Sequence, residues 1–183
     1  MTISLQKGQK ISLAKPGGGG LTRIFMGLGW DVASGPAIDL DASCLLFDDK
    51  RNLLDAVWFR QLTSKDGSIK HSGDNRTGAG DGDDEVVHVD LSQVPANVMH
   101  LVFTVNSFTG QDFTRIANST CRLVDATSNT ELARYDLAAK GGHTALVLAK
   151  LYRHNNDWKM QAIGEVGTGK TFTELLPKIV DYL

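Results

Sequence analysis

The sequence predicts an all-β fold, a β-sandwich of two sheets with a few short helices and a C-terminal helix. Three observations carry this reading. Short apolar or alternating runs recur along the whole chain, turn-forming clusters separate them, and helical periodicity is confined to the last residues. The chain of 183 residues can bury one proper hydrophobic core, so residues 1–183 read as a single domain. Hydrophobic residues make up 42% and charged residues 22%, which is ordinary globular usage and argues against disorder.

The elements follow in order. Residues 3–5 and 11–14 are short and alternating. Residues 22–30 follow the four-glycine run 17–20, which must be a loop. Residues 40–48 are almost continuously apolar, as in a strand buried on both faces. Residues 53–60 are rich in large apolar side chains. In 86–91, Val87 and Val89 fall on one face and Val86, His88 and Asp90 on the other. Residues 98–107 read as a central strand, and 119–125, 131–137, 144–153 and 158–165 complete the set. Turn chemistry intervenes at 48–50, 65–67, 127–129, 140–142 and 154–156. Residues 111–117 suit a turn or two of helix. In 173–183, Leu175, Leu176, Ile179, Val180 and Leu183 recur at helical spacing, with Thr173 as cap, Glu174 in the first turn and Pro177 near the start.

The net charge of -2 argues against a general nucleic-acid binder, which needs excess Lys and Arg to displace counterions. Cys44 and Cys121 lie in apolar runs and read as buried thiols. No paired Cys or His spacing suggests zinc. The N-terminus alternates from the start, without the apolar block of a signal peptide. No stretch approaches the roughly 20 apolar residues of a membrane span, so a cytoplasmic location is expected.

The chemistry concentrates in residues 73–85, GDNRTGAGDGDDE. Asp74, Asn75, Asp81, Asp83, Asp84 and Glu85 offer oxygen, and Gly73, Gly78, Gly80 and Gly82 let the backbone turn tightly. Crowded carboxylates repel, and hard oxygen donors without sulfur favour calcium, which takes about 6–8 oxygens at roughly 2.3–2.6 Å. The spacing is not an EF-hand: with Asp74 first, Arg76 and Gly78 fall on ligand positions and Ala79 on the obligatory glycine. Asp39 and Asp41 share one face of a strand opening, and Asp31 closes the run 27–31 (GLGWD), so all three are candidates to complete one or two sites. Arg76 reads as a local counterion, with recognition of a partner's carboxylate or phosphate as the alternative, and His71, just before the loop, reads as a surface residue, with contact to the loop as the alternative. The three tryptophans, Trp30, Trp58 and Trp158, read as core.

Residues 164–171 satisfy G-x-x-x-x-G-K-[ST], the pattern of a nucleotide-binding P-loop and the basis of an alternative enzymatic reading. Position opposes it. Twelve residues follow Thr171, which leaves no room for the β-α units and acidic strand such a site requires. No nucleophile elbow is present. A calcium-dependent membrane- or ligand-binding sandwich is a further alternative.

Four stretches together resemble the TerD family of bacterial tellurite-resistance and stress proteins: ISLQKGQKISL near the N-terminus, GLGWD at 27–31, DLDAS at 39–43, and the acidic loop 73–85. The chain looks like a paralogue of the TerD, TerE, TerZ or TerX kind, and the resemblance covers essentially its whole length. It implies a two-sheet sandwich with calcium sites at one end. The implied ligands are Asp31, Asp39, Asp41, Asp74, Asn75, Asp81, Asp83, Asp84 and Glu85. It implies no enzymatic activity. The implied role is resistance to tellurite and other stresses, with other stress-resistance proteins of the family or membrane-proximal complexes as partners, in the cytoplasm or peripheral to the inner membrane.

Overall fold

Alternation gives each strand an inward row of apolar side chains, and two six-stranded sheets close over these rows. The computed structural model describes residues 3–4, 6–13, 20–32, 35–78, 82–136, 141–155 and 157–183. The strands in chain order are β1 (Ile3–Ser4), β2 (Lys10–Ser12), β3 (Arg23–Val32), β4 (Leu40–Phe47), β5 (Leu53–Val57), β6 (Ile69–His71), β7 (Glu85–Asp90), β8 (His100–Ser107), β9 (Ile116–Asp125), β10 (Thr130–Asp136), β11 (Ala145–His154) and β12 (Asp157–Gly167). The first sheet runs β1-β10-β9-β3-β7-β6 and the second β2-β12-β11-β8-β4-β5. Every pairing is antiparallel except β1 with β10.

Several expectations hold as stated. Every side chain of β4 is buried. Val87 and Val89 point inward while His88 is exposed. β8 is central, between β11 and β4. Cys44 and Cys121 are free and buried in the main core. Burial pushes both thiols well above their ordinary value, so they remain protonated. Trp30 and Trp158 are core residues, and Trp58 is half-buried.

Other boundaries shift. β5 stops at Val57 because Trp58 and Gln61 bridge a tight turn. β6 spans three residues, too few to carry a periodic signal in the sequence. It is held in place by pairing with β7. The C-terminal helix is shorter and starts differently. A 3-10 turn (Phe172–Leu175) leads into α1 (Leu176–Val180), with Pro177 in its first turn. The cap is Thr171 rather than Thr173: its N–H and hydroxyl donate to Glu174 Oε2 at 3.1 and 2.8 Å.

This segment straps the outer face of the second sheet. Phe172, Leu175 and Ile179 cover Leu45, Phe47, Val102, Ala145, Val147 and Ile163, forming a second core. Tyr182 closes the strap, donating its hydroxyl to Glu165 at 2.9 Å and accepting a hydrogen bond from Lys150 at its carbonyl. The P-loop pattern dissolves in this context. Its first half is the end of β12, and the Thr171 hydroxyl and Lys170 N–H are taken by Glu174. The α-helix that follows spans five residues.

Candidate metal centre

The GLGWD run explains itself through period-two alternation. Met26, Leu28 and Trp30 of β3 lie in the core, which leaves Gly27 and Gly29 on the opposite face. A side chain at Gly29 would place its Cβ 2.6 Å from the Gly82 carbonyl oxygen, and one at Gly27 would strike the Asp83 carboxylate. The two glycines therefore form a trough for residues 82–84. Asp84 is fixed there at both ends: its N–H donates to the Leu28 carbonyl at 2.8 Å, and its Oδ2 accepts the Trp30 N–H at 2.9 Å. Arg122, the register partner of Gly27 on β9, grips Asp83 with Nε and Nη2 at 2.8–3.1 Å.

Across the sandwich end lies a tighter cluster. Asp39, just before β4, and Asp41, within it, meet Asp74 of the acidic loop. One carboxylate oxygen of each lies within 4.8 Å of the others. Asp39 is 6% and Asp41 4% exposed, while Asp74 is exposed. Asp39 Oδ1 and Asp41 Oδ2 have no hydrogen-bond partner. Burial, then the charges of Glu85, Asp39 and Asp74, push the Asp41 carboxyl up to about 8. Asp39 is also raised, by burial first and then by Asp74 and Glu85, with Arg76 opposing. The Arg76 charge thus acts on the cluster as a local counterion.

Glu85 lies beneath and is fully buried. Its Oε2 accepts the Ala42 N–H at 2.8 Å and its Oε1 the Asn75 N–H at 3.2 Å, so one carboxylate ties β7 to β4 and to the acidic loop. His71 is not the surface residue its sequence context suggests. It is buried, with Nε2 3.3 Å from Glu85 Oε2. Its Nδ1 accepts the Gly73 N–H at 3.0 Å, which places the ring proton of the neutral form on Nε2, facing Glu85.

The nine candidate residues therefore divide. Asp39, Asp41 and Asp74 converge, and Glu85 supports them from below. Asp31 and Asp84 line a separate polar pocket of about 180 Å³ with Gly82 and Asn118. Asp31 Oδ2 there accepts from Asn118 at 3.0 Å. Asp83 is engaged by Arg122. Asn75 is engaged by its own loop, with Oδ1 accepting the Thr77 and Gly78 N–H groups and Nδ2 donating to Asp84. Asp81 lies outside the described residues. Arg122 carries no local sequence signal, and the burial of His71 against Glu85 shows only in the fold.

Chemically, the convergent cluster holds acceptors without donors. Buried carboxylates this close need protons or a cation between them. The orphaned oxygens are hard donors, and they fit a divalent cation of calcium type.

The TerD domain family matches residues 1–178. The chain belongs to the TerD domain family. Among its TerD relatives, tellurium resistance protein TerZ of Serratia marcescens is 45% identical over 189 aligned residues, covering 97% of each chain. Stress response protein SCP2 of Bacillus subtilis is 42% identical, covering 95% of this chain and 96% of its own. Both of these relatives are named for tellurium resistance or stress response, and neither name is that of an enzyme. The crystal structure of a homologue of telluride resistance protein (TerD) from Streptomyces coelicolor A3(2) shares the fold, with a TM-score of 0.73 at 22% identity over 82% of this chain and 92% of that one. No helix among the described residues of this TerD chain is long and apolar enough to cross a membrane.

One consequence of the Asp41 environment is measurable in cation-stripped protein. With its carboxyl raised from 3.8 to about 8, the folded state binds the proton more tightly than the unfolded chain does. Stability is therefore fully present below the unfolded value and falls through the window between the two. The fall is up to about 1.4 kcal/mol per pH unit from this group. Thermal melts across that window in chelator should show the decline, and Asp41→Asn should flatten it. A wild-type melting temperature that rises throughout the window would contradict this environment.

Proposed function

We propose that this TerD chain is a non-enzymatic calcium-binding module that acts in resistance to tellurite and other stresses through calcium-dependent protein interaction. The observation that carries the proposal is the pair of buried, unpartnered oxygens, Asp39 Oδ1 and Asp41 Oδ2, beside the exposed carboxylate of Asp74. Calcium suits them better than magnesium. Calcium accepts many oxygens in irregular geometry, whereas magnesium demands a near-ideal octahedron and keeps its waters. Carboxylates committed to such a cation are poor general acids, which supports a binding rather than a catalytic role. The Asp31–Asp84 pocket is the position for a second ion. Asp31, Asp39, Asp41, Asp74 and Asp84 are then the ligand candidates, with Glu85 supporting the group of Asp39, Asp41 and Asp74.

The surroundings support a partner surface. The Phe108 N–H donates to the Asp39 carbonyl at 2.9 Å, so its backbone adjoins the residue that opens the cluster. Phe108 stacks edge-on with Phe59 at 5.3 Å, Phe59 with Trp58 at 4.8 Å, and the Arg60 guanidinium lies over both of those rings. A cation fixing the acidic loop beside half-buried aromatics would present both to another protein. Cytoplasmic stress-resistance proteins of the same family are the partners this reading favours.

Melting curves in chelator, magnesium and calcium test the cation. At about a hundredfold excess over the dissociation constant, calcium should stabilise the fold by about 2.7 kcal/mol, a rise of roughly 5–11 °C. Magnesium should give a smaller rise. Identical melting in calcium and chelator would contradict the proposal.

A further inference from the structure

Asp41 on β4 and Asn106 on β8 are register partners in adjacent antiparallel strands. Such partners project from the same face, with Cβ atoms about 4.5–5.5 Å apart. The same face carries Ser43 opposite Thr104 and Leu45 opposite Val102, and the last pair lies under the C-terminal strap. Asn106 is 1% exposed, and its side-chain amide is used at one end only. Nδ2 donates to the carbonyls of Gly169 and Thr171 at 3.3 and 3.0 Å. Oδ1, at the other end, is buried without a hydrogen-bond partner, as is Asp41 Oδ2.

The side on which the amide nitrogen is held can be read from its neighbours. Gly169, which takes one of its hydrogen bonds, donates its own N–H to Thr144 Oγ1 at 3.0 Å, at the β11 side of β8. The oxygen lies at the opposite end of the same planar group, and β4, which carries Asp41, is the neighbour of β8 on the side away from β11. Two buried acceptors on register-paired residues, neither with a hydrogen-bond partner, are both left needing a positive group.

We infer that Asn106 contributes a neutral amide oxygen to the cation of Asp39, Asp41 and Asp74, and through its amide nitrogen ties that cation to residues 169–171 of the strap. This role rests on the calcium reading above. Amide oxygens are usual calcium ligands, and a neutral donor adds coordination without adding to the crowded negative charge. Residues 169–171 lead directly into the Thr171 cap, so the filled site would stiffen the start of the strap.

The test is calcium calorimetry on the full chain, wild type against Asn106→Leu, with NMR of the Asn106 side-chain amide in wild type. Loss of the amide should weaken calcium binding by about 10–100-fold. In wild type, the Asn106 side-chain signals should shift on saturation, and exchange of the amide hydrogens of 169–171 should slow. If Asn106→Leu does not fold, the wild-type signals decide. A folded variant with wild-type affinity, or unmoved Asn106 signals in protein that does bind calcium, overturns the role and leaves the calcium reading standing. Absence of calcium binding by the wild type itself overturns both.

Discussion

Gly78→Ala is expected to destabilise the fold by about 2–5 kcal/mol, combining backbone strain with overpacking. Gly78 has φ of +63°, in the left-handed region that an alanine enters only with strain. Its missing side chain also makes room for Trp30. A Cβ would lie 2.7 Å from the Trp30 carbonyl oxygen and would strike the indole. That indole is itself anchored, donating Nε1–H to the Ile38 carbonyl at 2.9 Å next to Asp39. The substitution should therefore displace the acidic loop from β3 and weaken cation binding as well as the fold. Denaturant melts with and without calcium measure both effects. A change under about 0.5 kcal/mol, ordinary for a surface position, would contradict this account of the loop.

The double substitution Asp39→Asn, Asp41→Asn should act in opposite directions on binding and on stability. Binding should weaken by about a thousandfold or more, equivalent to roughly 4.1 kcal/mol, because both buried anionic ligands are lost. Above about pH 8 the stripped protein should meanwhile become more stable, since two mutually repelling buried carboxylates become neutral amides. In chelator at that pH the variant should melt above the wild type, and in calcium the order should reverse. A variant less stable than wild type in both conditions would mean that these acids serve the fold through contacts rather than a cation.

Much of the fold was legible because alternation is a local signal. Val87 and Val89 against His88, and the unbroken burial of β4, follow directly from residue order. What escaped was set by partners distant in sequence. β6 exists because β7 pairs with it, and the strap begins at Thr171 because Glu174 reaches back to it. The site shows the same division. Composition located the acidic loop, and period two placed Asp39 and Asp41 on one face. Neither can tell which carboxylates are already committed. Asp83 is taken by Arg122, 39 residues away, and Glu85 is turned inward onto Ala42 and His71. Asn106 offered no signal at all in sequence. Its relevance comes from strand register alone.

The most direct measurement is a calorimetric titration of calcium into chelator-treated protein. Saturable heat is expected for about one to two ions per chain, with the tighter event absent when Asp39 and Asp41 are both replaced by Asn. No heat in the wild type, or the same heat in the double variant, would contradict the cluster of Asp39, Asp41 and Asp74 as a metal centre.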